Sequence, residues 1–584
     1  MKKRAIALVL SMVLVGASLA GCGDKPAAST NAPAASTENT GAATTDSGSE
    51  ASGDTIVIEV YDEAANYQGT QIGWFAKVIK DRFNIELNII APQVAGDAVY
   101  QTRTATGSLG DIVILDPAHF SDCVQAGLIK DITTELKACT NLMDYEKQIT
   151  TYNNGLPGNT EGKLYGIPCE MTNTSPTSFS DDVVYSSPML RWDLYSGIGA
   201  PDIADLDGLI DALKAMMDAN PTNESGDPCY GLSLWPDWDN NDGMIGIANV
   251  VQLTTWYGEK IKGSAILKTD DTFVPLTDKN ATYYKMLKFL YNANKAGIVD
   301  PDSGTQDWNA ACAKMSAGQV YMFWYSWQVG FWNTTDRLAD GKGMIFTPVL
   351  DQYYYTTSDT YYGSGRLFGV GAGVEGEKYD RIMKFLDWYA SPEGLEFQHA
   401  GIEGFNYTLD DQHKFTIMND NALMDNLPVP EEYGGAGYSD GNNAINQWIV
   451  AAISTNPLSG EGYSNTHWSS WKAATATKTK TEWGERFSAQ EPVDWMKAHN
   501  ALFVRPSVSV SLPSDTADIE VIRNQVGQEV KDASWRMIFA SDDAAFDAMW
   551  DEMTENLNSL GFEDLYKFDV DKYTIELKAM QEAK

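Results

Sequence analysis

The sequence predicts an exported α/β protein with two lobes, on three observations. The chain opens on an export signal, the basic Met1-Lys2-Lys3-Arg4 followed by the apolar run Ala5 to Ala17. Beyond a polar tract it alternates strand-like and helix-like stretches, one strand being apolar nearly throughout, as in parallel sheets buried on both faces. At 584 residues it is long enough for two or more cores.

The signal's apolar run is too short to span a bilayer. It closes on Leu19-Ala20-Gly21-Cys22, small residues directly ahead of a cysteine. This ending resembles the lipobox of bacterial lipoproteins. The resemblance implies that residues 1–22 are a lipoprotein signal and that the Cys22 sulfur takes a diacylglyceryl group, tying the chain to the outer face of the cell membrane. Two acyl chains, at about 0.8 kcal/mol per buried CH₂, hold where one is marginal. Residues 23–54 are Ala, Ser, Thr, Gly, Asn and Pro with scattered acids, too polar to offset their ordering entropy. They read as a disordered tether with a span of about 30 Å.

The 80 Asp and Glu outnumber the 42 Lys and Arg, for a net charge of −38. That argues against nucleic acid as a partner, against direct adsorption to anionic lipid, and against an anionic ligand drawn in by long-range field. Besides Cys22, the cysteines are Cys123, Cys139, Cys169, Cys229 and Cys312, with no CxxC spacing. Buried thiols are expected, with a single bridge such as Cys123–Cys139 left open.

Order begins at Ile56-Val57-Ile58-Glu59-Val60, an alternating strand, followed by an amphipathic helix with Phe75, Ile79 and Phe83 on one face. Ile85 to Ile90 is a second strand and Leu109 to Asp116 the buried third. Gly162 to Pro168 leads out of this lobe. Helices over Leu206–Ala219, Ala281–Ala296 and Trp308–Ser316, with the strand Val320–Trp324, make a second, larger lobe. Leu367–Val370 returns as a strand before a helix over Tyr379–Ala390, and a last helical block covers Ala545–Leu557. The expected division is 55–168 plus about 362–400 for the first lobe, and 169–361 plus about 401–584 for the second.

Several stretches together resemble the family 1 extracellular solute-binding proteins of bacterial ABC importers, lipoprotein branch. They are the lipobox, Leu164-Tyr165-Gly166-Ile167-Pro168, Arg191-Trp192-Asp193-Leu194-Tyr195, Ala296-Gly297-Ile298-Val299-Asp300-Pro301, Ser391-Pro392-Glu393-Gly394 and Gly401-Ile402-Glu403-Gly404. The run Ile538-Phe539-Ala540 with Phe546, Trp550 and Met553 is similar too. The resemblance implies a type II periplasmic-binding-protein-like fold, each lobe a mixed sheet flanked by helices, with the ligand cleft between them. It further implies an oligosaccharide ligand, delivery to membrane permease subunits, a monomer and no catalysis. Some relatives carry a calcium loop after the helix ending here at Ala219. In 220–227 the carboxylates miss the spacing of such a loop, so a capped turn is expected and no cofactor.

Aromatic placement points to sugar independently. The C–H face of a pyranose lies on Trp or Tyr rings, while its hydroxyls need carboxylate, amide or Arg partners. Such clusters stand at Trp235–Asp242, Trp324–Gln328, Tyr361–Arg366 and His467–Trp471. Trp235 and Trp238 follow a strand and suit a cleft rim. Trp327 lies just past the end of its strand, whereas Trp324 within it, and Trp74 on the first helix, read as core. Trp468 is a ligand candidate whose spacing to Trp471 equally suits a packed helix face. Tyr61 and Tyr67 flank the loop after the first strand, and Asp116 and Glu170 stand at strand exits, where open α/β sheets place ligands. Tyr362 and Arg366, beside two glycines, complete the candidates.

Catalytic motifs are weak. Gly371-Ala372-Gly373-Val374-Glu375-Gly376 matches GxGxxG, but Glu375 would repel a pyrophosphate. Ser469-Ser470-Trp471-Lys472 lacks the companion motifs of an SxxK enzyme. The five histidines share no metal-ligand spacing. A surface-anchored glycoside hydrolase or lyase, with two carboxylates roughly 5–10 Å apart, is the alternative function. A peptide-binding relative is a third.

Overall fold

β-branched residues at alternating positions extend Ile56–Asp62 as a strand (β1) whose inward side chains, Ile58 and Val60, are fully buried. The computed structural model describes residues 53–584 apart from 97, 157–158, 160, 241–243, 419–426, 509 and 511. Cys22, the signal and nearly all of the expected tether lie outside the described residues, as do Asn241 and Asp242. No helix among the described residues is long and apolar enough to cross a membrane.

β1 is the centre of the first lobe. The short β2 (Gly69–Thr70) edges β3 (Ile85–Ile90), which pairs in parallel with β1 on one side. β4 (Ile112–Leu115), four buried aliphatic residues, pairs in parallel on the other. β5 (Gly166–Pro168) and the antiparallel return strand β13 (Leu367–Val370) complete the order β2-β3-β1-β4-β13-β5. Helices Gly73–Phe83 and Gly376–Tyr389 cover the sheet with Trp74, Phe75 and Ile79, and with Ile382, Phe385 and Tyr389.

In the second lobe β6 (Ser186–Arg191) is buried along its whole length. β10 (Met322–Tyr325) and β11 (Met344–Phe346) flank it, both antiparallel. A meander, β7 (Lys260–Lys262), β8 (Ala265–Leu267) and β9 (Phe273–Pro275), lies between its helices. β12 (Tyr354–Thr357) pairs in parallel with β16 (Leu502–Arg505). Helices Leu206–Ala219, Thr282–Lys295, Ala517–Ile538 and Asp543–Ser559 close one core, which holds Leu213, Leu290, Met537 and Trp550. The hairpin of β14 (Tyr407–Leu409) and β15 (Phe415–Ile417) carries a small cluster of its own.

The two lobes thus have separate hydrophobic cores, each around a sheet, as the sequence predicts. The expected assignment of 401–463 to the second lobe is corrected. Ile402, Val429, Tyr438, Ile445, Ile449, Val450 and Tyr463 pack into the first core. Tyr438 stacks on Trp74 at 5.3 Å, and its carbonyl accepts the Trp74 indole N–H at 2.9 Å.

The five described cysteines are free thiols, four buried and Cys312 half-buried. Gly371 explains the GxGxxG match structurally. A Cβ there would sit 2.3 Å from the Gly110 carbonyl oxygen, and the Gly371 N–H donates to the Asp111 carbonyl at 3.0 Å. The glycine serves strand packing. Gly371→Ala should lower stability by about 1–3 kcal/mol in urea unfolding.

Candidate functional site

The chain leaves the first lobe after β5 and enters the second at β6, then returns between β12 and β13. These crossings join one edge of each sheet.

On the first lobe that edge is the carboxyl end of β1, β4 and β5, where parallel α/β sheets present ligand groups. Asp62, the last residue of β1, is fully buried. Its Oδ1 accepts the Ala64 N–H at 2.8 Å, while Oδ2 has no partner among the described residues. Burial pushes its carboxyl up to about 7, against the Ala64 hydrogen bond and the charge of Arg366. Arg366, just ahead of β13, holds a buried Nε that is also unpartnered. Glu63 accepts the Asp116 N–H at 2.8 Å and bonds to the His119 ring, and burial raises its carboxyl. Asp116 caps helix Pro117–Gln125, accepting the N–H groups of Ala118 at 2.8 Å and His119 at 3.0 Å. Its other oxygen lies 3.1 Å from His119 Nδ1. Glu63, Asp116 and His119 have ligand atoms within 4.8 Å of one another, the one such group of metal-ligating type among the described residues. Its geometry is a carboxylate–imidazole–carboxylate bridge satisfied internally.

On the second lobe the edge is a wall of rings. Trp235 and Trp324 stack in its buried base, 5.2 Å apart and 4° from parallel. Trp308 lies 4.5 Å from both Trp235 and Trp238. Outermost, Trp327 is 41% exposed and stacks on Tyr325 at 5.2 Å. Tyr185, 57% exposed, meets Tyr325 edge-on at 5.3 Å. The wall is braced by buried polar groups. Gln328 Oε1 accepts the N–H groups of Trp324 and Tyr325, fixing the turn that puts Trp327 outward. Asn249 donates to the Trp235 carbonyl at 2.7 Å. Asp239 accepts the Ala248 N–H and the Trp535 indole N–H, and burial raises its carboxyl to about 6.

The structure therefore sorts the sequence candidates. Trp238, Trp327, Asp116, Glu170, Tyr362 and Arg366 stand on the joined edges with partly accessible side chains. Three others are corrected to core. Tyr61 is fully buried beside Tyr100, Trp235 lies under the ring wall, and Trp468 is sealed against Phe415 at 4.5 Å. Tyr67 is half-buried, its hydroxyl donating to the Thr70 carbonyl at 2.6 Å. Glu170 adopts a left-handed φ of 57°, held by its N–H to the Trp448 carbonyl and by Thr360 on its own carbonyl. Sequence reasoning did not single out Asp62, Tyr185, Trp308 or Tyr325, which the structure places at these two edges, Asp62 and Tyr325 buried and Tyr185 exposed. The aromatic cluster containing Tyr325 was the one available signal. In the turn at 220–227, Asn223 Oδ1 accepts the N–H groups of Ser225 and Asp227.

Comparison with known proteins agrees with this architecture. The family model described as bacterial extracellular solute-binding protein matches residues 68–396, more than half of the chain. Lipoprotein LipO of Bacillus subtilis (strain 168) is 23% identical over 317 residues, 51% of this chain; the chain spans 57% of that relative's length. Among solved structures, the HMO-binding ABC-transporter-associated solute-binding protein of Bifidobacterium longum infantis ATCC 15697 superposes with a TM-score of 0.51 at 14% identity. That match covers 90% of this chain and 99% of the other. The S. pneumoniae ABC-transporter substrate-binding protein FusA, solved with kestose, gives 0.48 at 13% identity, covering 90% and 100%. With two sheet-centred lobes joined edge to edge by crossing segments, and a family match over most of both, this chain belongs to the bacterial extracellular solute-binding protein family.

Proposed function

We propose that the chain captures a carbohydrate, an oligosaccharide by the extent of its ring wall, between the two joined edges and delivers it unaltered to the permease subunits of an ABC importer. It acts as a monomer held at the outer face of the cell membrane through lipid on Cys22. The observation that carries this reading is Trp327, an indole held outward on a stacked aromatic base at the second-lobe edge. Such a plate suits the C–H face of a sugar ring. The opposite edge supplies hydrogen-bonding groups for hydroxyls in the partly accessible side chains of Asp116, Glu170 and Arg366, with Asp62 Oδ2 and Arg366 Nε buried behind them and unpartnered among the described residues. Closure of the lobes would bring the two sets onto one ligand. An HMO-binding protein of the same fold is in keeping with this ligand class.

Calorimetry against malto-, fructo- and galacto-oligosaccharides tests the reading. Trp327→Ala should weaken the best ligand by about 1–2 kcal/mol, roughly five- to thirty-fold, with an unchanged melting temperature. Chromatography should recover the sugar intact. Release of shorter products would favour a hydrolase instead, and no heat from any sugar would defeat the proposal.

A further inference from the structure

Beyond the ring wall, the second lobe holds a cavity of about 270 Å³ whose lining includes Tyr185, Gln252, Lys260, Lys262, Tyr355 and Glu576. Tyr185 belongs to both features, since its ring packs on Tyr325 at 5.3 Å, so the cavity continues the wall. The charges within it are unbalanced. Lys262 Nζ pairs with Glu576 at 2.7 Å, and the two cancel. The Lys260 ammonium has no hydrogen bond or ion pair among the described residues; it lies 5.8 Å from the Tyr355 ring centroid. Burial, then the neighbouring Lys262, brings its pKa down to about 8, with Glu576 acting in the opposite sense. A partly buried cation in a cavity without a counterion is costly, and a chain of net charge −38 has carboxylates in excess with which to pair it.

We propose that this cavity receives the carboxylate of an acidic sugar unit, so that the captured carbohydrate is an anionic oligosaccharide of the uronic-acid type. The inference rests on the carbohydrate reading and specifies its ligand class. One uncompensated positive charge matches a monoanion. Gln252, Thr255 and Thr357 on the same lining supply neutral hydrogen-bonding groups for the ring hydroxyls. The volume is slightly below that of pockets for whole drug-sized ligands, and suits one terminal unit with the remaining rings on the wall. The acidic surface does not forbid such a guest. Exposed charges are screened beyond about 8–10 Å at ordinary salt, whereas a pairing inside the cavity acts at contact.

The test uses trigalacturonic acid and its fully methyl-esterified, uncharged form. By calorimetry the acid should bind at least ten-fold tighter than the ester. Lys260→Met should collapse that ratio to below three-fold, and Lys260→Arg should retain most of it. Equal melting temperatures check that the variants fold. On the wild-type protein, acetylation of Lys260 at pH 8 should be slowed by the acid and not by the ester, a readout that needs no variant. Equal binding of acid and ester, or a ratio unchanged in Lys260→Met, overturns the proposal while leaving the carbohydrate reading standing. Absence of both heat and Lys260 protection with either probe also overturns it, whether or not neutral oligosaccharides bind. The carbohydrate reading itself falls only when neither the neutral panel nor the acid and its ester give heat.

Discussion

Replacing Asp62 by asparagine should stabilise the protein by roughly 3 kcal/mol at pH 8 and by almost nothing at pH 4. The carboxyl titrates at about 7 in the folded chain against an ordinary value of 3.8. Between those values the folded state holds the proton more tightly than the unfolded state. Stability therefore falls as pH rises through that window, and the full cost is present above about 7. The difference corresponds to about 4 kcal/mol, from which an unpaired amide N–H in the Oδ2 position takes back about 1. Asparagine keeps the acceptor for Ala64 and carries no charge at any pH. Urea melts of both proteins at pH 4, 6 and 8 should show the gap opening with pH. A gap of constant size would mean that the carboxyl is not the source. Under the proposed capture of a carbohydrate, the same substitution should weaken binding, since a buried acid with an unpartnered oxygen behind the proposed ligand edge trades stability for function.

The pattern of the first sheet was legible because alternation marks β1 and continuous burial marks β4, which is what their neighbours require. The edge proposed for the ligand was legible as well, because the carboxyl ends of parallel strands are fixed once the strands are. The choice between adjacent residues was not. Tyr61 and Asp62 point to opposite faces of β1, and nothing local says which face the strand end turns toward the crossing segments. The tryptophan clusters were similarly ambiguous. Trp235 is buried because Trp324, far along the chain, stacks on it, whereas Trp327 is turned outward by the buried amide of Gln328. Tyr185 joins the wall only through the antiparallel register that sets Ser186 opposite Tyr325. The stretch 401–463 has little periodicity to reveal its lobe, and long-range contacts such as the Trp74–Tyr438 stack show where its described residues belong.

Truncating Asp569 to alanine should cost about 2–3 kcal/mol, because it leaves the buried Ser264 N–H without its acceptor and Arg523 with Asp515 as its one remaining carboxylate. Asp569 is fully buried in helix Phe562–Glu582. Its Oδ2 accepts the Ser264 N–H at 2.8 Å and hydroxyl at 2.7 Å, and Arg523 donates to both oxygens at 3.0 and 2.6 Å. The hairpin turn between β7 and β8 is shaped to receive it. Gly263 has a φ of 62°, and a Cβ there would lie 2.3 Å from Asp569 Oδ2. One carboxylate thus pins the last helix to the meander, and that helix also carries Glu576, the counterion of Lys262. Asp569→Asn keeps the shape but supplies one acceptor in place of two, so its loss in urea unfolding should fall between wild type and alanine. Removing Arg523 along with Asp569 should cost less than the sum of the two single losses, since the pair between them is lost once. A single-variant loss below about 1 kcal/mol would show that the helix is held by its apolar face alone. The intermediate asparagine and the shortfall from additivity separate the charge from the packing around it.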